Sequence, residues 1–278
     1  MPVIHLDLCT RCLKCVKDCP ARAITIETGE ISDNCIHCGH CVAICQETAV
    51  FPDSGDMVIP LRLNRVAPDD FRDLAAGIRT CRSYQDKEVP EELLGKLVEG
   101  MKHYPSASNA RPIQVTIVRD RAMVQQLNDE TEKTLIRMFS FITSPVVALF
   151  IRILAPSLNI KKLRRYKASF LKQRTTNNSL ICHNAPSVLL FHGPVTRTGM
   201  LEADANIWAT YTSIYANTMG LGSCFNGFIV LAMGKNSKQN ALFGLPAGHR
   251  VYASLLIGYP KVHYLNETSR KSPEVSYL

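Results

Sequence analysis

Apolar positions change their period several times along the chain. In "VPEELLGKLVEGMKHY", Leu93, Leu94, Leu97, Val98 and Met101 fall at i, i+1, i+4, i+5 and i+8 behind Pro90, which predicts an amphipathic helix. Helical patterning begins at Asp69, and "LEADANIWATYTSIYANTMGLG" predicts a long helix stopped by Gly220. Other segments lose that period. Ile113–Val118 ("IQVTIV") alternates like a strand, Ser187–His192 ("SVLLFH") reads as a buried strand, and "VYASLLIGYP" as a last one. "AITIE" predicts a short strand nearer the N-terminus. Helices and strands mix without regular βαβ alternation, so the expected class is α+β.

"FPDSGDMVIPLRLNRVAPDD" is polar, turn-rich and contains proline, as a connector should be. It divides the chain into an N-terminal domain, 1–60, and a larger one, 61–278. Within the larger domain, Met138 to Ile151 carries no charge, and a basic run of Lys161, Lys162, Arg164, Arg165 and Lys167 follows. Those 14 uncharged residues include Pro145 and are too few to span a bilayer. The expectation is a buried helix or a mobile cover over a site, in preference to a membrane contact. A composition of 46% hydrophobic and 20% charged residues is that of a globular chain and excludes wholesale disorder.

Cysteine usage carries the first chemistry. Eight of the 11 cysteines lie between Cys9 and Cys45, in C-x2-C-x2-C-x3-C spacing written twice: Cys9, Cys12, Cys15, Cys19, then Cys35, Cys38, Cys41, Cys45. A disulfide scaffold would need an export signal. The opening "MPVIHLDLC" has neither a basic start nor a long apolar run, so a cytoplasmic protein is expected. Structural zinc prefers two separated C-x-x-C pairs. The repeat resembles instead the bacterial two-cluster ferredoxins. That resemblance implies two [4Fe–4S] clusters with crossed ligation. Three cysteines of a tight loop serve one cluster, and the fourth opens a short helix that points to the other. Cys9, Cys12, Cys15 and Cys45 would hold one cluster, and Cys35, Cys38, Cys41 and Cys19 the second. Pro20 follows the first repeat as in the family, whereas Gln46 follows the second. The formal charge of +8 counts the thiols as neutral, and two cubanes would lower it to about +4. That mild excess makes no case for a nucleic-acid partner.

Neither a Walker A sequence nor a dinucleotide fingerprint occurs; "GLGSCF" lacks the third glycine and follows a helix. Basic clusters stand at "RTCR" and "SRK", where guanidinium pairs suit a phosphate. Taken in order, "RTCRSYQDKEVP", "YPSASNARP", "NAPSVLLF", "GLGSCFNGF" and "SRKSP" resemble the nitroreductase-like FMN family from about Asp69 onward. The resemblance implies that Arg79, Thr80, Arg82, Arg270 and Lys271 hold the FMN phosphate. By the same match, Pro105, Ser106, Ala107 and Asn109 lie along the flavin, and a backbone N–H at Asn226 or Gly227 meets flavin N5. Thr80 replaces the family's serine, Arg111 its glutamine, and Asn226 an acidic residue of some members. The resemblance further implies a homodimer with FMN at the interface, and a large contact from the helix bearing Ile207, Trp208, Tyr211, Ile214 and Tyr215. Cys81, Cys182 and Cys224 read as buried bystanders, and no catalytic side chain is assigned.

Two one-electron clusters beside an FMN can load electrons singly and discharge a pair. The expected function is a flavin-dependent reductase passing electrons from a ferredoxin-type donor through its clusters to an electron-poor small molecule, a nitroaromatic or quinone. Two alternatives stay open: an NAD(P)H oxidoreductase exporting electrons through the clusters, and a non-enzymatic electron carrier or redox sensor.

Overall fold

The computed structural model describes residues 1–53, 57–61, 65–155, 157–173, 179–196, 198–234 and 237–278. These fall into two compact units: Met1–Val66 with Ser106–Arg111, and Ala67–Pro105 with Pro112–Leu278.

The first unit is built from very short elements. Strand β1 (Val3–Ile4), helix α1 (Lys14–Asp18), β2 (Ile24–Thr25), β3 (Glu30–Ile31), α2 (His40–Ile44) and β4 (Val50–Phe51) follow in order. β1 pairs antiparallel with β4, and β2 with β3. The strand expected in "AITIE" is β2. Ile4, Cys15, Ile26 and Val50 form its small buried core.

The second unit begins with α3 (Pro68–Gly77), α4 (Glu91–Gly100), β5 (Gln114–Val118), α5 (Arg121–Ile142), α6 (Pro145–Leu154) and α7 (Ile160–Gln173). It continues through β6 (Ser187–Pro194), α8 (Leu201–Thr218), β7 (Gly222–Phe225), α9 (Gly227–Met233), α10 (Ser237–Leu242) and β8 (His249–Gly258). One antiparallel sheet runs β5-β6-β8-β7. Its central strands read as unbroken apolar runs because helices cover both faces. Alternate residues go to opposite sides. Val188, Leu190 and Leu256 join a cluster with Leu127 and Leu135 of α5, Phe170 of α7 and Ile229 of α9. Leu189, Phe191, Leu255 and Ile257 join Leu94 and Leu97 of α4 and Trp208 of α8 on the other side. The α+β class expected from the sequence is therefore the architecture found.

α8 ends where the pattern placed its stop, with Gly220 in the left-handed region at φ 73°. Its aromatic and aliphatic stripe is divided: Trp208 is buried and stacked on Tyr104 at 4.6 Å, while Tyr211 is exposed. The uncharged stretch 138–151 is no single buried helix. α5 closes at Ile142, and α5 and α6 are bent by 74° at the Ser144–Pro145 break. Among the described residues no helix is long and apolar enough to cross a membrane.

Candidate functional site

The two cysteine loops repeat each other at an offset of 26 residues, and the backbone repeats with them. Arg11 and His37 both take φ 53°, Leu13 and Gly39 take 61° and 73°, and Arg22 and Thr48 take 51° and 48°. Five of these six residues are not glycine, so the repeat holds a conformation that L-residues disfavour. The turns aim backbone N–H groups at sulfur. Arg11 N–H meets Cys9 Sγ and His37 N–H meets Cys35 Sγ, both at 3.4 Å. Ala23 N–H meets Cys19 Sγ at 3.4 Å, and Ala49 N–H meets Cys45 Sγ at 3.3 Å. The fourth cysteine of each repeat differs from expectation. Cys19 and Cys45 close α1 and α2 as their C-caps instead of opening a helix. The left-handed residues Leu13 and Gly39 start each helix one turn earlier, so the third cysteine lies inside it.

This geometry sorts the thiols. Cys9, Cys12, Cys15 and Cys45 line one cavity with Ile4, Ile26 and Val50. Cys19, Cys35, Cys38 and Cys41 line another with Pro20, Ile24 and Ile31. Among the described residues no group of three His, Cys, Asp or Glu closes on a single ion. A donor set of four thiols in an apolar pocket, with backbone N–H groups on the sulfurs, fits a polynuclear iron–sulfur group. Burial pushes the Cys41 thiol up to about 11, so its deprotonation belongs to metal binding. His37 and His40 turn away from such a role: His37 Nδ1 lies 2.7 Å from Asp53, and His40 Nδ1 lies 3.3 Å from Asp18.

In the second unit the segment Arg79–Gln85 is clasped to the sheet. Cys81 N–H donates to Ser223 O at 2.8 Å, Gln85 N–H to Tyr259 O at 2.9 Å, and Lys261 N–H to Ser83 O at 2.9 Å. Gly222 makes the clasp fit, since a Cβ there would stand 2.8 Å from Cys81. Arg82 is thereby carried to a cavity of about 530 Å³ that it lines with Cys224, Phe225, Asn226 and Gly227. Neither Arg79 nor Arg82 pairs with a carboxylate among the described residues. An unpaired cation in a roomy, mostly apolar cavity fits an aromatic ligand bearing a phosphate.

Asn226 organises this wall. Its Oδ1 accepts from Phe228 and Ile229 N–H at 3.1 and 3.2 Å, capping α9, and its Nδ2 donates to Ile181 O. Its own N–H donates to Ser254 O at 3.0 Å, which leaves Gly227 as the donor free to face a ligand among the described residues. Burial, then the Arg82 guanidinium, holds the His183 ring below the ordinary histidine range. Cys81, Cys182 and Cys224 are buried, and burial raises all three thiols, Cys182 to about 12. None is a poised nucleophile.

The remaining expected residues lie elsewhere. Arg79 Nη1 donates to the carbonyls of Ala76 and Ile78 at the end of α3. Thr80 is exposed, as are Arg270 and Lys271 in a C-terminal segment without helix or strand; these three do not line the cavity. Pro105 ends a loop of the second unit, whereas Ser106, Ala107 and Asn109 belong to the first. There Asn109 Nδ2 donates to Ile36 O at 3.2 Å and His37 O at 2.9 Å, and Ser106 Oγ accepts from Arg111 N–H. Ser108, Asn109 and Arg111 all hold positive φ. Sequence reasoning missed the cavity wall given by α7, where Tyr166, Ser169 and Phe170 face His183 and Leu231. Its trace in the sequence is the aromatic spacing that lets Phe139, Tyr166, Phe170 and Phe228 meet at ring distances of 5.4 to 6.5 Å.

Comparison with known proteins agrees with both halves. The family model of the nitroreductase family matches residues 75–259, and that of the 4Fe-4S dicluster domain matches residues 1–46. A nitroreductase with bound FMN from Bacteroides fragilis superposes with a TM-score of 0.56 at 16% identity, covering 74% of this chain and 97% of that one. A Desulfitobacterium hafniense nitroreductase with bound FMN gives 0.56 at 17% identity over the same shares. A BluB-like flavoprotein from Clostridium difficile gives 0.54 at 15% identity, covering 73% and 94%. At such identities these show the fold alone. A Methanothermobacter thermautotrophicus protein, whose name reads in part NADH dehydrogenase/NAD(P)H nitroreductase, is 43% identical over 49 residues, 18% of this chain. The match spans about a quarter (26%) of that relative's length. With its fold, its family model and its N-terminal cysteine repeat in agreement, the chain belongs to the nitroreductase family and carries a 4Fe–4S dicluster domain ahead of the nitroreductase fold, a pairing that supports a flavin- and iron–sulfur-linked redox function.

Proposed function

We propose that the protein takes single electrons from a ferredoxin-type donor through two [4Fe–4S] clusters to FMN and reduces an electron-poor organic acceptor such as a nitroaromatic or quinone. The observation that carries this reading is the sorting of eight thiols into two quartets, each lining its own cavity and each drawing its fourth member from the other repeat. When bound, the clusters exchange electrons one at a time and the flavin supplies two-electron chemistry. The chain's own residues bind and tune. Each quartet supplies four thiolates, and the paired N–H groups at Arg11, Ala23, His37 and Ala49 spread negative charge off sulfur. Arg82 would hold the phosphate; Arg79, Thr80, Arg270 and Lys271, which the resemblance also assigns to it, do not line this cavity. Gly227 N–H would face the ring edge.

The test is anaerobic rapid mixing with a reduced ferredoxin-type donor. The full chain should bleach its cluster absorbance before or with the flavin and then consume the acceptor. A chain beginning at Ala67 should keep FMN and dithionite-driven turnover but lose fast reduction by that donor. Equal rates in both would place electron entry elsewhere. That outcome would favour electrons running outward from NAD(P)H, a second reading supported by the name of the archaeal relative.

A further inference from the structure

The apolar stripe of α6 faces outward. Val146, Leu149, Phe150, Ile153 and Leu154 are 58% to 80% exposed, while Ala148 on the opposite side is buried. Their spacing of i, i+3, i+4, i+7 and i+8 is that of a helix face that normally seeks a core. Phe141, at the end of α5 just before the bend, adds a sixth exposed apolar group. The expectation of a buried helix is thus reversed by orientation: Pro145 starts α6 after a 74° bend, and the stripe turns outward.

Charge singles out what would cover this face. No aspartate or glutamate occurs between Glu132 and Glu202, a span that holds 11 lysines and arginines. Outside it the chain has 21 basic and 24 acidic residues, so the whole positive excess sits in this span. α7 presents much of it. Lys161, Lys162, Arg164 and Arg165 are exposed, and among the described residues none pairs with a carboxylate.

We propose that α6 and the basic face of α7 form a monotopic docking surface for a bilayer containing anionic phospholipid. Ten residues of helix extend about 15 Å, half the thickness of a hydrocarbon core, so α6 lies in the interface and does not cross it. Exposed aliphatic and aromatic groups of α6 would enter the acyl boundary while the cations of α7, the next helix in the chain, meet phosphate headgroups. A second copy of the chain suits the surface less well. A two-fold contact places the same patch against itself, which would gather two sets of unpaired cations. The inference is independent of the flavin reading, because it requires no cofactor and its test measures none.

The test is flotation of the purified full-length protein with phosphatidylcholine vesicles containing phosphatidylglycerol, against vesicles of phosphatidylcholine alone. The wild type should float with the anionic vesicles and partition at least tenfold less into neutral ones or at high salt. Lys161→Glu/Arg164→Glu/Arg165→Glu should reduce partitioning more than a hundredfold, at about fivefold or more for each cation lost. Leu149→Ser/Phe150→Ser/Ile153→Ser should abolish flotation while leaving the helical circular dichroism unchanged. If the wild type stays unbound at low salt, or if the charge variant floats as well as the wild type, the proposal is overturned. If instead the serine variant turns a dimer into a monomer by light scattering and the wild type ignores vesicles, the face is an interface between copies.

Discussion

The two units of this chain hold their shapes by different means. The second has two-sided sheet packing around β6 and β8, with Leu94, Leu97, Leu127, Leu135, Leu189, Leu190 and Phe191 fully buried. The first has strands of two residues, helices of five, and a buried core in which one of the four members is Cys15, which also lines the cavity with Cys9, Cys12 and Cys45. Two-stranded ribbons and single-turn helices are not stable alone, and a core this small needs a staple. The contrast leads to an expectation: the second unit should hold its fold without a cofactor, whereas the first should fold only with metal bound, so that metal-ligand binding would there be folding free energy.

The largest expected effect follows directly. Anaerobic removal of iron with a chelator should unfold the first unit and spare the second. Limited proteolysis should then cut within 1–66 and near 106–111, while 67–105 and 112–261 survive together as a resistant core. Survival of the N-terminal unit without iron would break the comparison. Within the first unit, Cys45→Ser should damage the cluster held by Cys9, Cys12 and Cys15, and Cys19→Ser the one held by Cys35, Cys38 and Cys41. Paramagnetic resonance of the two variants should lose different signals; loss of the same signal would overturn the crossed assignment. In the second unit, Arg82→Ala should weaken FMN binding roughly tenfold or more by removing a charge-assisted contact to phosphate. Riboflavin, which has no phosphate, should bind both proteins alike. Equal losses for the two flavins, read by fluorescence quenching, would remove Arg82 from the phosphate shell.

The same contrast governs what the sequence could reveal. All eight clustered cysteines lie within 37 residues, so their repeated spacing is legible locally, whereas the structure makes Cys19 and Cys45 helix C-caps where a helix start was expected. The cavity around Arg82 is assembled from α7, β7 and the loop before α4, and only a resemblance could link those parts in advance. α5 escaped the pattern because its inner face buries Asn128, Thr131 and Glu132 among the apolar residues, which blurs the helical period. The resemblance offers a backbone N–H at Asn226 or Gly227, and the structure separates the two: Asn226 N–H donates to Ser254 O while its side chain caps α9 and donates to Ile181 O. For α6 the sequence shows an uncharged stretch, and lack of charge does not say which way a face turns.

A smaller effect separates the units by pH. His192 is buried between β5 and β8, with Nε2 3.0 Å from Thr116 Oγ1 and Nδ1 3.0 Å from His249 Nδ1. Burial first, then His249, pushes its pKa down to about 4. The unfolded chain takes up this proton near the ordinary value of about 6.5, so it binds more protons than the folded chain between the two values. The stability contributed by neutral His192 is therefore present above about pH 6.5 and lost as the pH falls toward 4. Melting of a chain beginning at Ala67 should show that slope, and His192→Gln should flatten it. An unchanged slope would assign the acid sensitivity to other groups.

The smallest effect concerns the one place where the two cluster loops cease to be equivalent. Asn109 donates to the carbonyls of Ile36 and His37, whereas the matching carbonyls of the first repeat, at Thr10 and Arg11, receive no such donor among the described residues. The Ile36 carbonyl and the His37 N–H belong to one peptide group, and that N–H points at Cys35 Sγ. A hydrogen bond accepted at the carbonyl polarises the peptide and strengthens its N–H as a donor. A stronger donor on sulfur favours the reduced, more negative cluster and raises its potential. Asn109→Ala should therefore lower the potential of the cluster held by Cys35, Cys38, Cys41 and Cys19 by a modest amount and leave its twin unmoved. A redox titration followed by paramagnetic resonance reads both at once. A shift in the twin, or equal shifts in both, would mean that Asn109 acts on the unit's overall stability instead of on one peptide beside one sulfur.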